Sequence, residues 1–191
     1  MTTTFDACRI SSASLDPASA PPTLVWETID VSDGFTVRYP AWPGDAAELL
    51  LGVLREAGAR LAEVPAQDLV DCVGRVANRF LDSSDPLRQE AIDLLVPTAG
   101  ISTEMASEIL TGMARDWTAE RLTELLRREL RDPGVLDGFR RVDEGRRVRA
   151  KGPLLTFHVG AGTVPGVGVT SMIRALLMKS AVLLKPGLGD V

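Results

Sequence analysis

"FHVGAGTVPGVGVTSMIRALLMKSAVLLKPG" (Phe157–Gly187) changes character three times along its length. An apolar run, Leu154–Val159, leads into it. The chain then reads Gly160-Ala161-Gly162-Thr163-Val164-Pro165-Gly166. Met172, Ile173, Leu176 and Leu177 follow at helical spacing within Val169–Lys179. A second apolar run, Ala181–Leu184, closes in Lys185-Pro186. Strand, turn, helix and strand in this order make a βαβ unit, whose two strands run parallel. Both strands are almost wholly apolar, as in a sheet covered on both faces. The fold class is therefore α/β.

The turn itself leaves two readings open. Glycines between a strand and a helix either cradle a phosphate or simply make a tight turn. The pattern misses G-x-G-x-x-G by one residue, with Pro165 in the sixth position. A dinucleotide fingerprint also has an acid at the end of the second strand. Here Lys185-Pro186 stands there, and the nearest acid is Asp190.

Upstream, the chain divides by composition. Residues 1–23 are rich in Ser, Ala, Thr and Pro and read as a disordered arm. Residues 24–40 read as a β-hairpin. Val25, Ile29 and Val31 alternate before Asp33-Gly34, and Phe35, Val37 and Tyr39 alternate after it. An isolated hairpin is marginal in water, so this one needs a surface, its own chain's or a second subunit's. Residues 41–150 read as a helical region. Asp45 caps a first helix. Pro65 opens a second, bearing Leu69, Val70, Val73, Val76, Ala77 and Phe80. Pro86 opens a third, which runs to Leu95 and is stopped by Pro97. Ser102 and Thr118 cap the last two. Arg140–Gly152 holds six basic residues and two acids, and reads as a solvated connector or a patch for a phosphorylated ligand. The composition turns apolar after it, which places the start of a Rossmann-like domain at 151–191.

Composition narrows the function. The 191 residues are 45% apolar with net charge −5. That balance argues against a general nucleic-acid surface. No run approaches the roughly 18 apolar residues of a membrane span. Cys8 and Cys72 show no paired spacing. A zinc site or disulfide framework is not expected, and the reducing cytoplasm is the expected location. Cys72, within an apolar helix, reads as a buried structural cysteine. His158 is the single histidine. Its place in an apolar strand reads as a satisfied core or strand-end residue in preference to a general base.

The residues from Ala161 to Pro186 resemble the opening of the cofactor domain in the aldehyde dehydrogenase superfamily. The nearer resemblance is to its acyl-CoA reductase branch, the LuxC-like fatty acid reductases. It rests on the turn Gly162-Thr163-Val164-Pro165, the helix Arg174-Ala175-Leu176-Leu177-Met178-Lys179, and the strand closing in Lys185-Pro186. It extends over roughly residues 65–191 and is strongest over 152–187.

The resemblance implies an aldehyde-dehydrogenase-like fold, in which a helix-rich N-terminal region leads into the first βαβ unit of a parallel sheet. It also implies a chemistry: a cysteine thiolate attacks an acyl thioester, from CoA or a carrier, and NADPH reduces the acyl-enzyme to an aldehyde. Lys185 matches the lysine that contacts the adenosine ribose. Gly160, Gly162, Val164, Pro165 and Pro186 match the backbone beside the cofactor. The glutamate that usually follows Lys-Pro is missing, which favours NADP over NAD. The superfamily's oxyanion-donating asparagine is replaced by Thr163, a shorter donor. The family's nucleophilic cysteine lies downstream of the Lys-Pro strand, a place neither Cys8 nor Cys72 occupies. The expectation is thus a truncated or split enzyme, inactive alone, that needs a C-terminal half or a complementing subunit. Self-association is left open. The rival reading is a non-catalytic interaction module whose βαβ unit completes a partner's sheet.

Overall fold

A computed structural model describes residues 3–6, 25–32, 34–41, 44–161 and 165–187. The helical region comprises α1 (Gly44–Ala62), α2 (Ala66–Leu81), α3 (Pro86–Ala99), α4 (Thr103–Asp116) and α5 (Ala119–Leu130). Ser102 Oγ accepts from the Met105 N–H, and Thr118 Oγ1 accepts from the Arg121 N–H. Each thereby satisfies an orphan donor of the first turn, as their positions ahead of apolar periodicity suggested. Pro65 stands immediately ahead of α2. Helix α1 begins at Gly44, one residue ahead of Asp45.

Pro97 does not stop α3. The helix runs through it to Ala99 and ends at Gly100 in the left-handed conformation (φ 64°), whose N–H bonds Val96 O. A proline in the last turn removes one hydrogen bond but leaves the glycine cap to set the end.

Helices α2, α4 and α5 converge on one core. Val70, Ala77, Ala114, Trp117, Leu122 and Leu126 are buried there with Leu136 of a short 3-10 turn, Pro133–Leu136. Burying each Leu or Val contributes about 1.5–3 kcal/mol. Gly74 lets α2 approach α5, since a Cβ there would meet the Ala119 methyl at 2.9 Å. A smaller cluster, Ile92, Leu95, Ala106 and Leu110, joins α3 to α4. Buried Arg88 holds the same junction. It donates to Phe80 O at the end of α2, and to Ser107 Oγ (2.8 Å) and Thr111 Oγ1 (2.9 Å) of α4.

Three small sheets accompany the helices. Strands β1 (Thr3–Asp6), β2 (Val25–Ser32) and β3 (Phe35–Ala41) form the first, in the order β1-β3-β2. The hairpin β2–β3 is antiparallel, and β1 adds parallel to β3. Thr3–Asp6 therefore departs from the unstructured arm read over 1–23. Arg38 fixes the added strand through two hydrogen bonds to Asp6 (2.7 and 2.8 Å) and stacks over Trp26. Phe35 and Val37 are buried, and β2 touches α3. The stretch read as a connector holds the second sheet, the antiparallel pair β4 (Arg140–Asp143) and β5 (Arg146–Val148), turning at Gly145 with φ 86°.

The third sheet is the βαβ unit. Strand β6 (Leu155–Val159), helix α6 (Val167–Leu177) and strand β7 (Ala181–Lys185) follow in order. The strands pair in parallel, from Leu155 opposite Ala181 to Val159 opposite Lys185. The chain is thus mixed α/β. Among the described residues neither strand has a further neighbour.

One expectation for this unit needs correction: the strands are not covered on both faces. Helix α6 covers the face of Thr156 and His158, which bond Ser180 and Ser171. Helix α1 covers only the start of the other face, where Gly58 sits against Leu154 O and the Ala181 methyl. Farther along that face, Phe157 and Val159 are 60% and 66% exposed.

Candidate functional site at the ends of the parallel strands

Parallel pairing brings the carboxyl ends of β6 and β7 together. The Gly160 N–H donates to Lys185 O (2.8 Å), extending the ladder by one rung. A Cβ on Gly160 would lie 2.9 Å from Gly187 N. Glycine is therefore required at 160 by the protein's own backbone, before any ligand enters. Gly166 is similar. Its φ of 82° lies in the left-handed region that favours glycine, and the end of the Met113 side chain of α4 fills the space a Cβ would take. It starts α6, and no side chain caps that helix end. Pro165 and Gly166 on one side and Lys185, Pro186 and Gly187 on the other thus stand at the same end of the unit.

Lys185 is exposed, and its ammonium makes no ion pair among the described residues. A cation at the carboxyl end of parallel strands, with the amino end of α6 at the same edge, suits a ribose hydroxyl or a phosphate. Of the other residues singled out by sequence, Gly162, Thr163 and Val164 lie outside the described residues, as does Cys8. His158 meets its expectation halfway. Nδ1 is 2.8 Å from Ser171 Oγ, while Nε2 is buried with no hydrogen-bond partner among the described residues.

Cys72 corrects a second expectation. It is exposed. The buried stripe of α2 is Ala66, Val70, Gly74 and Ala77, and Cys72 points away from it. Cys72, Val73, Val76 and Phe80 form a second stripe that lines a cavity of about 330 Å³. Helices α3, α4 and α6 supply its other walls, and Pro165 and Gly166 stand in its lining.

A buried ion pair sits behind the site. Lys179, in the connection from α6 to β7, adopts φ 60° and is 8% exposed. Its ammonium donates to Asp137 Oδ1 (2.7 Å) and to Ala62 O (3.2 Å). Asp137 also accepts from the Ala66 N–H (2.9 Å). Burial alone would push the Asp137 carboxyl up. The Lys179 hydrogen bond, the Ala66 N–H and the charges of Lys179 and Arg140 outweigh it and hold the carboxyl below its ordinary value. One lysine thereby ties the βαβ unit to the end of α1 and the start of α2. Nothing local in the sequence marks this pair.

The model of the acyl-CoA reductase (LuxC) family matches residues 61–190, a span that includes α2 to α6 and the whole βαβ unit. The chain belongs to the acyl-CoA reductase (LuxC) family. The resemblance read from the turn, the Arg174–Lys179 stretch and the Lys-Pro strand is thereby confirmed at the level of family. No curated protein matches the chain. Seen in this LuxC-family chain, the motif's two basic residues have different surroundings: Arg174 is exposed on α6, whereas Lys179 is buried against Asp137. No helix among the described residues is long and apolar enough to cross a membrane, and no cluster of metal-ligating side chains occurs among them.

Proposed function

We propose that this chain supplies the cofactor-side half of a reductase that converts an acyl thioester, fatty acyl-CoA or acyl-carrier, to an aldehyde with NADPH. Membership of the acyl-CoA reductase family supports the reaction class. The single observation that carries the cofactor reading is Lys185, an exposed cation with no ion pair among the described residues, placed where the two parallel strands end, one backbone hydrogen bond from Gly160. The cofactor, when bound, supplies the hydride. The ammonium of Lys185 holds the adenosine end through ribose hydroxyls or a 2′-phosphate. No carboxylate stands at Pro186, Gly187 or Leu188 to repel that phosphate. The backbone of Gly160 and the turn through Pro165 and Gly166 shape the floor beneath it. Thr163 lends its hydroxyl to the oxygen on which negative charge develops. The nucleophile is a cysteine that neither Cys8 nor Cys72 supplies.

Titration calorimetry of the chain with NADPH, NADP and NADH tests this reading. Binding that prefers the 2′-phosphorylated cofactor and weakens in Lys185→Ala is expected. Equal or absent binding of all three overturns it. A second reading, a non-catalytic module that completes a partner's sheet, is favoured by the exposed Phe157 and Val159 and by strand edges that have no further neighbour among the described residues. It takes over if a tight partner complex forms without reductase activity.

A further inference from the structure

The cavity between α2, α3, α4 and α6 is unlike the strand ends beside it. Its lining is almost wholly apolar, and Cys72 contributes its one thiol. The indole N–H of Trp117, which lines it, donates to Thr170 Oγ1 (3.2 Å). Trp117 and Phe80, edge to face at 6.3 Å, make a stiff wall. Among the described residues such a space offers a phosphate, a sugar or a nucleotide base few hydrogen bonds, so burying one there costs most of the desolvation of its polar groups. It suits an apolar body alone. One side of it is Pro165-Gly166, two and three residues on in sequence from Thr163, to which the oxyanion role is proposed.

We propose that this cavity receives the alkyl tail of the acyl thioester and sets the chain length the protein accepts. The inference rests on the acyl-CoA reductase reading for the tail's identity, and on the cavity for where the tail goes. A cavity of about 150 Å³ lined by aliphatic and aromatic side chains holds six-carbon benzene, so one of about 330 Å³ has room for about a dozen carbons. Ala91 of α3 is a small side chain in the wall, and enlarging it shortens the space from that side.

Cys72 reports on occupancy, because it is exposed and lines the cavity. In a Cys8→Ser chain its rate of reaction with a disulfide reagent is measured with fatty acids of four to sixteen carbons, below their micellar concentrations. Protection is expected to tighten by about fourfold per added methylene, the ratio equivalent to about 0.8 kcal/mol, and to level off near a dozen carbons. Ala91→Phe, checked for folding by circular dichroism, should move the plateau to shorter acids without changing NADPH binding. The unsubstituted cavity gives a result even where that variant fails to fold. Protection that ignores chain length overturns the proposal, as does a Cys72 that is unreactive from the start because polypeptide covers it. Normal NADPH binding without protection sinks this inference alone. Protection without NADPH binding sinks the reductase reading and leaves an apolar-tail site.

Discussion

The Lys179 ammonium donates to Asp137 Oδ1 across 2.7 Å, and of the two side chains the lysine is far the deeper: 8% exposed against 36%. The two partners are therefore not equivalent. Asp137→Ala leaves a buried ammonium with Ala62 O as its one partner among the described residues, while Lys179→Met leaves a half-solvated carboxylate that keeps the Ala66 N–H. Urea denaturation should give a loss of about 3 kcal/mol for Asp137→Ala and a smaller one, about 1–2 kcal/mol, for Lys179→Met. The reverse order would show that the carboxylate, not the ammonium, is the buried charge.

Acid should destabilise the protein through identifiable carboxylates. Asp137 is held low as described. Asp85 is held low chiefly by the Arg79 hydrogen bond and then the Leu87 N–H, and Asp82 by the Ser84 hydroxyl and N–H. A depressed carboxylate stabilises the fold fully above its unfolded value of about 4, and that contribution is lost as pH falls through the lower native value. The melting temperature should be flat from pH 7 to about 5 and fall below about 4. In Asp85→Asn the fall should be shallower. An unchanged slope would mean that the Arg79 pair contributes nothing to folding.

Two glycine substitutions of the same kind should have opposite signs. A Cβ on Gly58 would lie 2.2 Å from Leu154 O, so Gly58→Ala pushes α1 off the strands and should cost about 1–3 kcal/mol. Gly112, in the interior of α4, has nothing within 4 Å of a new Cβ. Gly112→Ala should stabilise by about 0.5–1 kcal/mol. Thermal melts of the two variants check both, and destabilisation by Gly112→Ala would contradict the open space around α4.

Cofactor and oxyanion roles separate kinetically in the active enzyme, with any complementing part supplied. Lys185→Ala should raise the NADPH KM by about tenfold or more, the loss of one charge-assisted hydrogen bond, with kcat little changed. Thr163→Ala should lower kcat and leave the cofactor KM near its original value, because an oxyanion donor acts in the transition state. If Lys185→Ala leaves the KM unmoved, Lys185-Pro186 does not hold the cofactor.

Much of this was legible because it is local. Period and turn residues gave the parallel βαβ unit between Leu154 and Lys185, and side-chain oxygens ahead of apolar periodicity gave the caps at Ser102 and Thr118. What failed to show depends on distance or on competition. Pro97 was read as a stop because its missing N–H is a local fact, whereas the Gly100 cap that overrides it acts from three residues on. Cys72 was read as buried because α2 carries two apolar stripes, and a single helix does not say which one meets the core. The cavity needs four helices at once. The Lys179–Asp137 pair joins residues in different elements, and its lysine is hidden in a stretch that otherwise reads as the end of a helix.

The contact of Gly58 with Leu154 and Ala181 also bears on the order of assembly. Strand β6 finds β7 across a single helix, while α1 reaches the same strands only across α2 to α5 and the β4–β5 hairpin. Loop closure of that length is entropically costly until the intervening helices have condensed. Helix α1 is therefore the latch of the molecule, set last and released first. Its amides should exchange with solvent by a sub-global opening, ahead of those in β6 and β7, and exchange at the global rate would show that it folds with the core instead.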